Sequence, residues 1–213
     1  MRTLIRSLGE LCITAGLILL LFVAYELWGT GAYTSAQQGK LGKELARRWA
    51  AAQAGPVTKE KVRLGQGIAL IRIPRLGQSY HYVVIEGVSV EDLRKGPGHY
   101  PGTALPGGLG NFVVSGHRTT YLAPFNRVDV LKAGDKILVD TQDKQYVYQV
   151  SGEKVVSPSD LDVTDPVPFH PGQAPTDHLI TLTTCHPKYS ASHRLIVFGR
   201  LVQTLPRVGN GGT

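Results

Sequence analysis

Between Leu11 and Tyr25 the chain reads LCITAGLILLLFVAY, an apolar run without a charge. A run of this kind at an amino terminus either crosses a bilayer or is removed as a leader, and both outcomes export everything that follows. Extended through Leu8 and Trp28, it reaches the roughly twenty residues a hydrocarbon core requires. Glu10 and Glu26 then fall near the two interfaces, and Tyr25 and Trp28 suit an aromatic belt. Arg2 and Arg6 favour a cytoplasmic amino terminus. The competing reading is a cleaved signal ending near Thr30-Gly31-Ala32, whose small residues resemble a cleavage site. The anchor is preferred because the run outlasts a usual signal core and ends in aromatic residues.

Export changes the meaning of the cysteines. Cys12 lies inside the apolar segment, so Cys185 is alone in the exported part and has no intramolecular disulfide partner. An unpaired thiol outside the cell calls for a chemical explanation. Nucleic acid is an unsuitable partner there. The formal net charge of +7 fits either anionic lipid headgroups and wall polymers or merely a soluble basic surface. Lys40 to Pro56, KLGKELARRWAAAQAGP, is Ala-rich and basic and closes on Gly-Pro, the pattern of a helical spacer.

After Pro56 the pattern becomes short strands separated by Gly- and Pro-bearing turns. Strands are expected at Gly67–Ile73, Tyr82–Glu86, Asn111–Gly116, Lys136–Asp140, Gln145–Val156, His178–Thr184 and Arg194–Val202, several of them alternating apolar and polar residues. Helical turns are expected at Ser89–Lys95, capped by Ser89, and at Pro124–Leu131. Seven or eight strands with few helices predict a mainly β fold, a closed or nearly closed barrel. The expected plan is a cytoplasmic tip and transmembrane anchor over residues 1–30, a helical or flexible spacer over 31–62, the barrel over 63–205 and a flexible tail over 206–213.

The stretch Thr181 to Leu201, TLTTCHPKYSASHRLIVFGRL, places Cys185 and Arg194 between two of these strands. Sulfur attacks carbonyls as thiolate, and a nearby guanidinium supplies favourable electrostatics. The plain alternative is a packed cysteine beside an unrelated surface arginine. His117 follows another apolar strand in Ser115-Gly116-His117-Arg118-Thr119-Thr120, and imidazole is the natural proton carrier for a thiol attack. A histidine satisfied in a turn is the commoner case, so it is the company of Cys185 and Arg194 that raises His117. Neighbouring strand ends of one barrel can bring all three together. The chemistry would be acyl transfer through a thioester, with Arg194 stabilising the oxyanion.

His186 is a poor proton partner, because adjacent strand residues face opposite sides. His99, His178 and His193 sit near strand ends, but no spacing selects them. Neither zinc-like ligand spacing nor an EF-hand loop is present, so no metal or other cofactor is expected.

The ordered motifs Thr181-Leu182-Thr183-Thr184-Cys185, Arg194-Leu195-Ile196-Val197 and Gly116-His117-Arg118 resemble the sortases, over about Gly67 to Leu201. Gly96-Pro97-Gly98-His99-Tyr100-Pro101-Gly102-Thr103, followed by Leu105-Pro106-Gly107, makes the chain most similar to class E sortases of high-GC Gram-positive bacteria. The resemblance implies a sortase-type barrel and a membrane-anchored cysteine transpeptidase. Such an enzyme cleaves a C-terminal sorting signal between Thr and Gly and joins the threonine carboxyl to a cell-wall precursor amine, such as that of lipid II. Partners would be surface proteins bearing the signal and the membrane, and the enzyme would be a monomer.

By the same resemblance Cys185 is the nucleophile, His117 protonates the departing amine and deprotonates the incoming one, and Arg194 orients substrate. Tyr100 stands where class E relatives carry the tyrosine credited with preferring Leu-Ala-x-Thr-Gly over Leu-Pro-x-Thr-Gly. A phenol can hydrogen-bond the backbone N–H that alanine has and proline lacks. A tyrosine packed between Pro97 and Pro101 is the plain alternative. Thr184, beside the cysteine, is a further candidate substrate contact. Leu122 departs from the pattern, standing where many class E relatives carry glycine. Class D sortases, which would favour proline in the signal, and a non-catalytic wall-binding barrel remain the alternatives.

Overall fold

A computed structural model describes residues 2–53 and 62–207. Residues 54–61, which include the end of the expected spacer, and residues 208–213 of the expected tail lie outside the described residues.

The amino-terminal apolar run forms helix α1 (Arg2–Ala24), none of whose residues is buried against the rest of the protein. Its 23 residues span about 35 Å at 1.5 Å per residue, enough for a hydrocarbon core. By length and composition this helix is a membrane anchor or a signal sequence. A π-helical turn, Tyr25–Gly29, leads without a break into α2 (Thr30–Gln53).

Eight strands follow: β1 (Gly67–Arg72), β2 (His81–Glu86), β3 (Gly98–His99), β4 (Gly110–Ser115), β5 (Lys136–Asp140), β6 (Lys144–Val156), β7 (His178–His186) and β8 (His193–Pro206). They close into a barrel in the order β1-β2-β3-β4-β7-β8-β6-β5. The expected mainly β, closed barrel is therefore what the chain forms. The pairs β2–β3 and β4–β7 are parallel and the others antiparallel. A one-turn helix α3 (Val90–Leu93) begins at Ser89, whose hydroxyl accepts the Asp92 N–H. The Pro124–Leu131 segment holds a single 3-10 turn, Val128–Val130.

Alternation builds the core. Ala69 and Ile71 from β1, Phe112 and Val114 from β4, Ile180 and Leu182 from β7, and Leu195 and Val197 from β8 all face inward in one cluster. The barrel seam between β1 and β5 carries Arg72, whose Nε and Nη2 donate to the two Asp140 carboxylate oxygens at 2.9 and 3.0 Å.

Helix α2 does more than separate anchor from barrel. Leu41, Leu45 and Trp49 recur every four residues, hence on one face, and pack on Val83, Ile85 and Leu70 on the outside of β1 and β2. That cover explains why Val83, Val84 and Ile85 are all buried in succession rather than alternately. Polar contacts fix the docking: the Gln38 side chain accepts the Val83 N–H at 2.7 Å and donates to the carbonyls of Val83 and Lys95, and Arg48 donates to the Gly67 carbonyl.

Candidate active site

The parallel register of β4 and β7 pairs Ser115 with Thr183, and two residues beyond each lie His117 and Cys185. Parallel neighbours run about 4.8 Å apart, so this register brings the ends of the two strands together. The Gly116 N–H donates to the Thr183 carbonyl at 3.1 Å, prolonging the ladder to the residue before His117. Gly116 allows the loop to fold back onto the core, since a Cβ there would stand 2.7 Å from the Phe125 ring. On the other side of β7, Cys185 is the direct antiparallel partner of Arg194. Paired residues share a face, so thiol and guanidinium leave the sheet on the same side, along with Thr181 and Thr183.

Cys185 is half-buried and its thiol is free. The Arg194 Nη1 donates to the carbonyls of Ala191 and His193, both at 3.0 Å, which ties the side chain to the β7–β8 turn. The His117 ring lies 5.0 Å from that of Tyr121, tilted by 34°. Its Nε2 is buried and, among the described residues, has no hydrogen-bond partner. Burial, and then the positive charge of Arg94, push the imidazole below its ordinary pKa. Both influences favour the neutral imidazole, the form that can accept a proton.

Thr184 is not among the groups at this mouth. Alternation turns it to the opposite face from Cys185, its side chain is buried, and its hydroxyl donates to the Gly116 carbonyl at 2.7 Å. Its hydroxyl bolts the cysteine strand to the histidine loop. Tyr100 follows β3, with its N–H on the Val113 carbonyl and its carbonyl accepting the Thr103 hydroxyl. It is half-buried, and no hydrogen bond to its own hydroxyl is present among the described residues. Its neighbour His99 is buried between the Glu86 carboxylate at 2.6 Å and the Thr103 hydroxyl at 2.8 Å, which anchors the Tyr100 turn. His178 and His193 are exposed at strand ends.

Arg118 is the residue that sequence reasoning missed. Only 3% exposed, it donates from Nη1 to the Cys185 carbonyl at 3.2 Å and from Nη2 to Asp129 at 3.1 Å. It therefore holds the backbone of the cysteine from the segment that carries the histidine. The available signal was an arginine directly after a strand-exit histidine, with Asp129 as an acidic partner downstream.

Comparison with known proteins shows the family of the chain. A family model described as a sortase domain matches residues 71–202. Sortase SrtE1 of Streptomyces coelicolor is 40% identical over 210 residues, which is 95% of this chain. The chain spans 58% of the length of that relative. Sortase SrtE2 of the same organism is 31% identical over 207 residues, covering 92% of this chain and 81% of the relative. Among solved structures, sortase E1 of S. coelicolor with a tripeptide in the active site superposes with a TM-score of 0.63 at 40% identity, over 72% of this chain and 98% of that one. The SrtF sortase of Corynebacterium diphtheriae gives a TM-score of 0.69 at 30% identity, over 75% and 96%. The chain belongs to the sortase family and is most like its class E members.

Proposed function

We propose that this chain is a cysteine transpeptidase that cleaves a C-terminal Leu-Ala-x-Thr-Gly-type sorting signal between Thr and Gly and transfers the threonine carboxyl to a cell-wall precursor amine. The observation that carries the reading is the pairing of Cys185 with Arg194 across β7 and β8, beside the end of β4 that leads to His117.

Neutral His117 takes the Cys185 proton as sulfur attacks the threonine carbonyl. The C–N bond then breaks, and the imidazolium returns that proton to the departing glycine amine, leaving a thioester. An acceptor amine attacks the thioester and gives its proton to His117, the C–S bond breaks, and the imidazolium returns that proton to the departing sulfur, restoring the Cys185 thiol and the neutral imidazole. Arg194 stabilises the oxyanion in both halves of the reaction through guanidinium N–H groups other than the tethered Nη1. Tyr100 reads the second position of the signal. Helix α1 anchors a monomer with its amino terminus in the cytoplasm and its barrel outside, where signal-bearing surface proteins and the lipid II-type acceptor meet it.

The test incubates the full chain in detergent micelles with a Leu-Ala-x-Thr-Gly peptide and an added amine, beside Cys185→Ala. A peptide–amine product that depends on Cys185 is expected. Absence of product with this peptide and with its Leu-Pro-x-Thr-Gly counterpart would overturn the assignment, and product with the proline peptide alone would move the specificity towards class D.

A further inference from the structure

We propose that Arg94 and Tyr121 are positioning residues that hold the His117 imidazole, and that the juxtamembrane helix α2 fixes their place. The inference rests on the reading of His117 as the acid/base group, and it concerns how that group is held.

The layer is built in three steps. The Tyr121 ring packs against His117, with centroids 5.0 Å apart. The Arg94 guanidinium carbon lies 5.9 Å from the centroid of the same Tyr121 ring. Arg94 Nη1 donates to Glu91 at 2.7 Å, while its Nε is buried with no partner among the described residues. Arg94 is therefore a cation held against an aromatic ring that itself covers the imidazole.

Helix α2 grips this layer at two points. The Thr34 hydroxyl, fully buried, donates to the Arg94 carbonyl at 2.7 Å, and Gln38 one turn later donates to the Lys95 carbonyl at 2.8 Å. The Leu122 side chain lies against Gly31, where an added Cβ would be 3.5 Å from Leu122 Cδ2. Gly31, Thr34 and Gln38 share one helical face, so the first turns of α2 touch both arms of the layer.

The loop itself is strained. Tyr121, Leu122 and Ala123 have φ of 53°, 61° and 43°, three successive left-handed residues none of which is glycine. Such backbone persists only where its surroundings over-determine it. Here the Tyr82 hydroxyl donates to the Leu122 carbonyl, the Tyr80 hydroxyl to the Pro124 carbonyl, and α2 backs Leu122. Releasing α2 would let the loop relax and carry Tyr121 away from His117.

The charge balance around the imidazole supports this assignment. Arg118, next in the chain, turns to Asp129 and the Cys185 carbonyl, and Arg194 is tethered to the β7–β8 turn beside Cys185. Arg94, with Glu91 as its counter-ion, is the charge that depresses the imidazole, after burial.

The experiment titrates the full chain in detergent micelles with 13C-labelled histidine, following the His117 Cε1 resonance, a readout that needs no turnover. Arg94→Gln and Tyr121→Leu are each expected to raise the His117 midpoint, Arg94→Lys to keep it near wild type, and Thr34→Val to raise it by less. In the peptide–amine assay, Arg94→Gln should lower kcat at pH 7 by about tenfold with KM within twofold, less than the 10²-fold or more expected when the imidazole itself is removed. An unchanged His117 midpoint in Arg94→Gln and Tyr121→Leu would overturn the inference. Should either fail to fold by circular dichroism, Thr34→Val decides, and an unmoved midpoint there overturns the role of α2. If the wild-type chain turns over no peptide, the titration still tests the layer while the transpeptidase reading falls.

Discussion

Replacing Thr184 by valine tests whether that side chain serves the scaffold or the substrate. The substitution keeps the branched shape and deletes the hydroxyl that donates to the Gly116 carbonyl at 2.7 Å. Thr184 is 3% exposed, so the carbonyl it abandons has no easy access to water. A buried acceptor left without its donor costs about 1–3 kcal/mol. For a chain of this size, at roughly 2–4 °C per kcal/mol, that is a fall in Tm of roughly 2–12 °C. The lost bond joins β7 to the residue before His117, so kcat should fall as well, while KM for the peptide stays within twofold. Thermal unfolding followed by circular dichroism, together with steady-state kinetics on the same micellar sample, reads both effects. An unchanged Tm with a KM raised several-fold would refute the reasoning and place the hydroxyl on substrate.

The depressed imidazole of His117 makes stability depend on pH. Between the lowered folded value and the ordinary 6.5, the unfolded chain binds more protons than the folded one, so this contribution is present above pH 6.5 and is lost as pH falls through the folded value. Denaturant unfolding of His117→Gln should show a smaller loss of stability over that range than wild type, and identical slopes would contradict the shift. The docking of α2 makes a separate prediction. Leu45, 3% exposed in the patch against Val83 and Ile85, should cost about 2–5 kcal/mol when changed to alanine. Amides of α2 should then exchange faster than in wild type, and unaltered protection would mean that the patch does not hold the helix.

The strands were legible where period-two alternation had an apolar interior on one side, as in β1 and β4. β3 escaped because two residues, Gly98 and His99, lie in a segment of Gly and Pro and carry no pattern, yet they close the barrel between β2 and β4. The Cys185–Arg194 pairing follows from strands and turn alone, since a hairpin fixes which residues face each other. The proximity of β4 and β7 depends on a long-range parallel pairing that local pattern cannot show. Thr184 is expected near the substrate because it neighbours Cys185, and what local pattern does not show is that its hydroxyl is taken up by the Gly116 carbonyl on the opposite face of the strand. The Lys40–Pro56 segment read as a spacer because its alanines and basic residues dominate. The four-residue recurrence of Leu41, Leu45 and Trp49 was the visible sign of a docking face.

The central claim is that Cys185 forms an acyl-enzyme with the threonine carbonyl, and intact-mass spectrometry of the full chain tests it most directly. With signal peptide present and no added amine, a mass increase equal to the peptide fragment ending in threonine less one water should appear, map to Cys185, and disappear when amine is supplied. An adduct on any other residue, or none with either the alanine or the proline form of the signal, would contradict it.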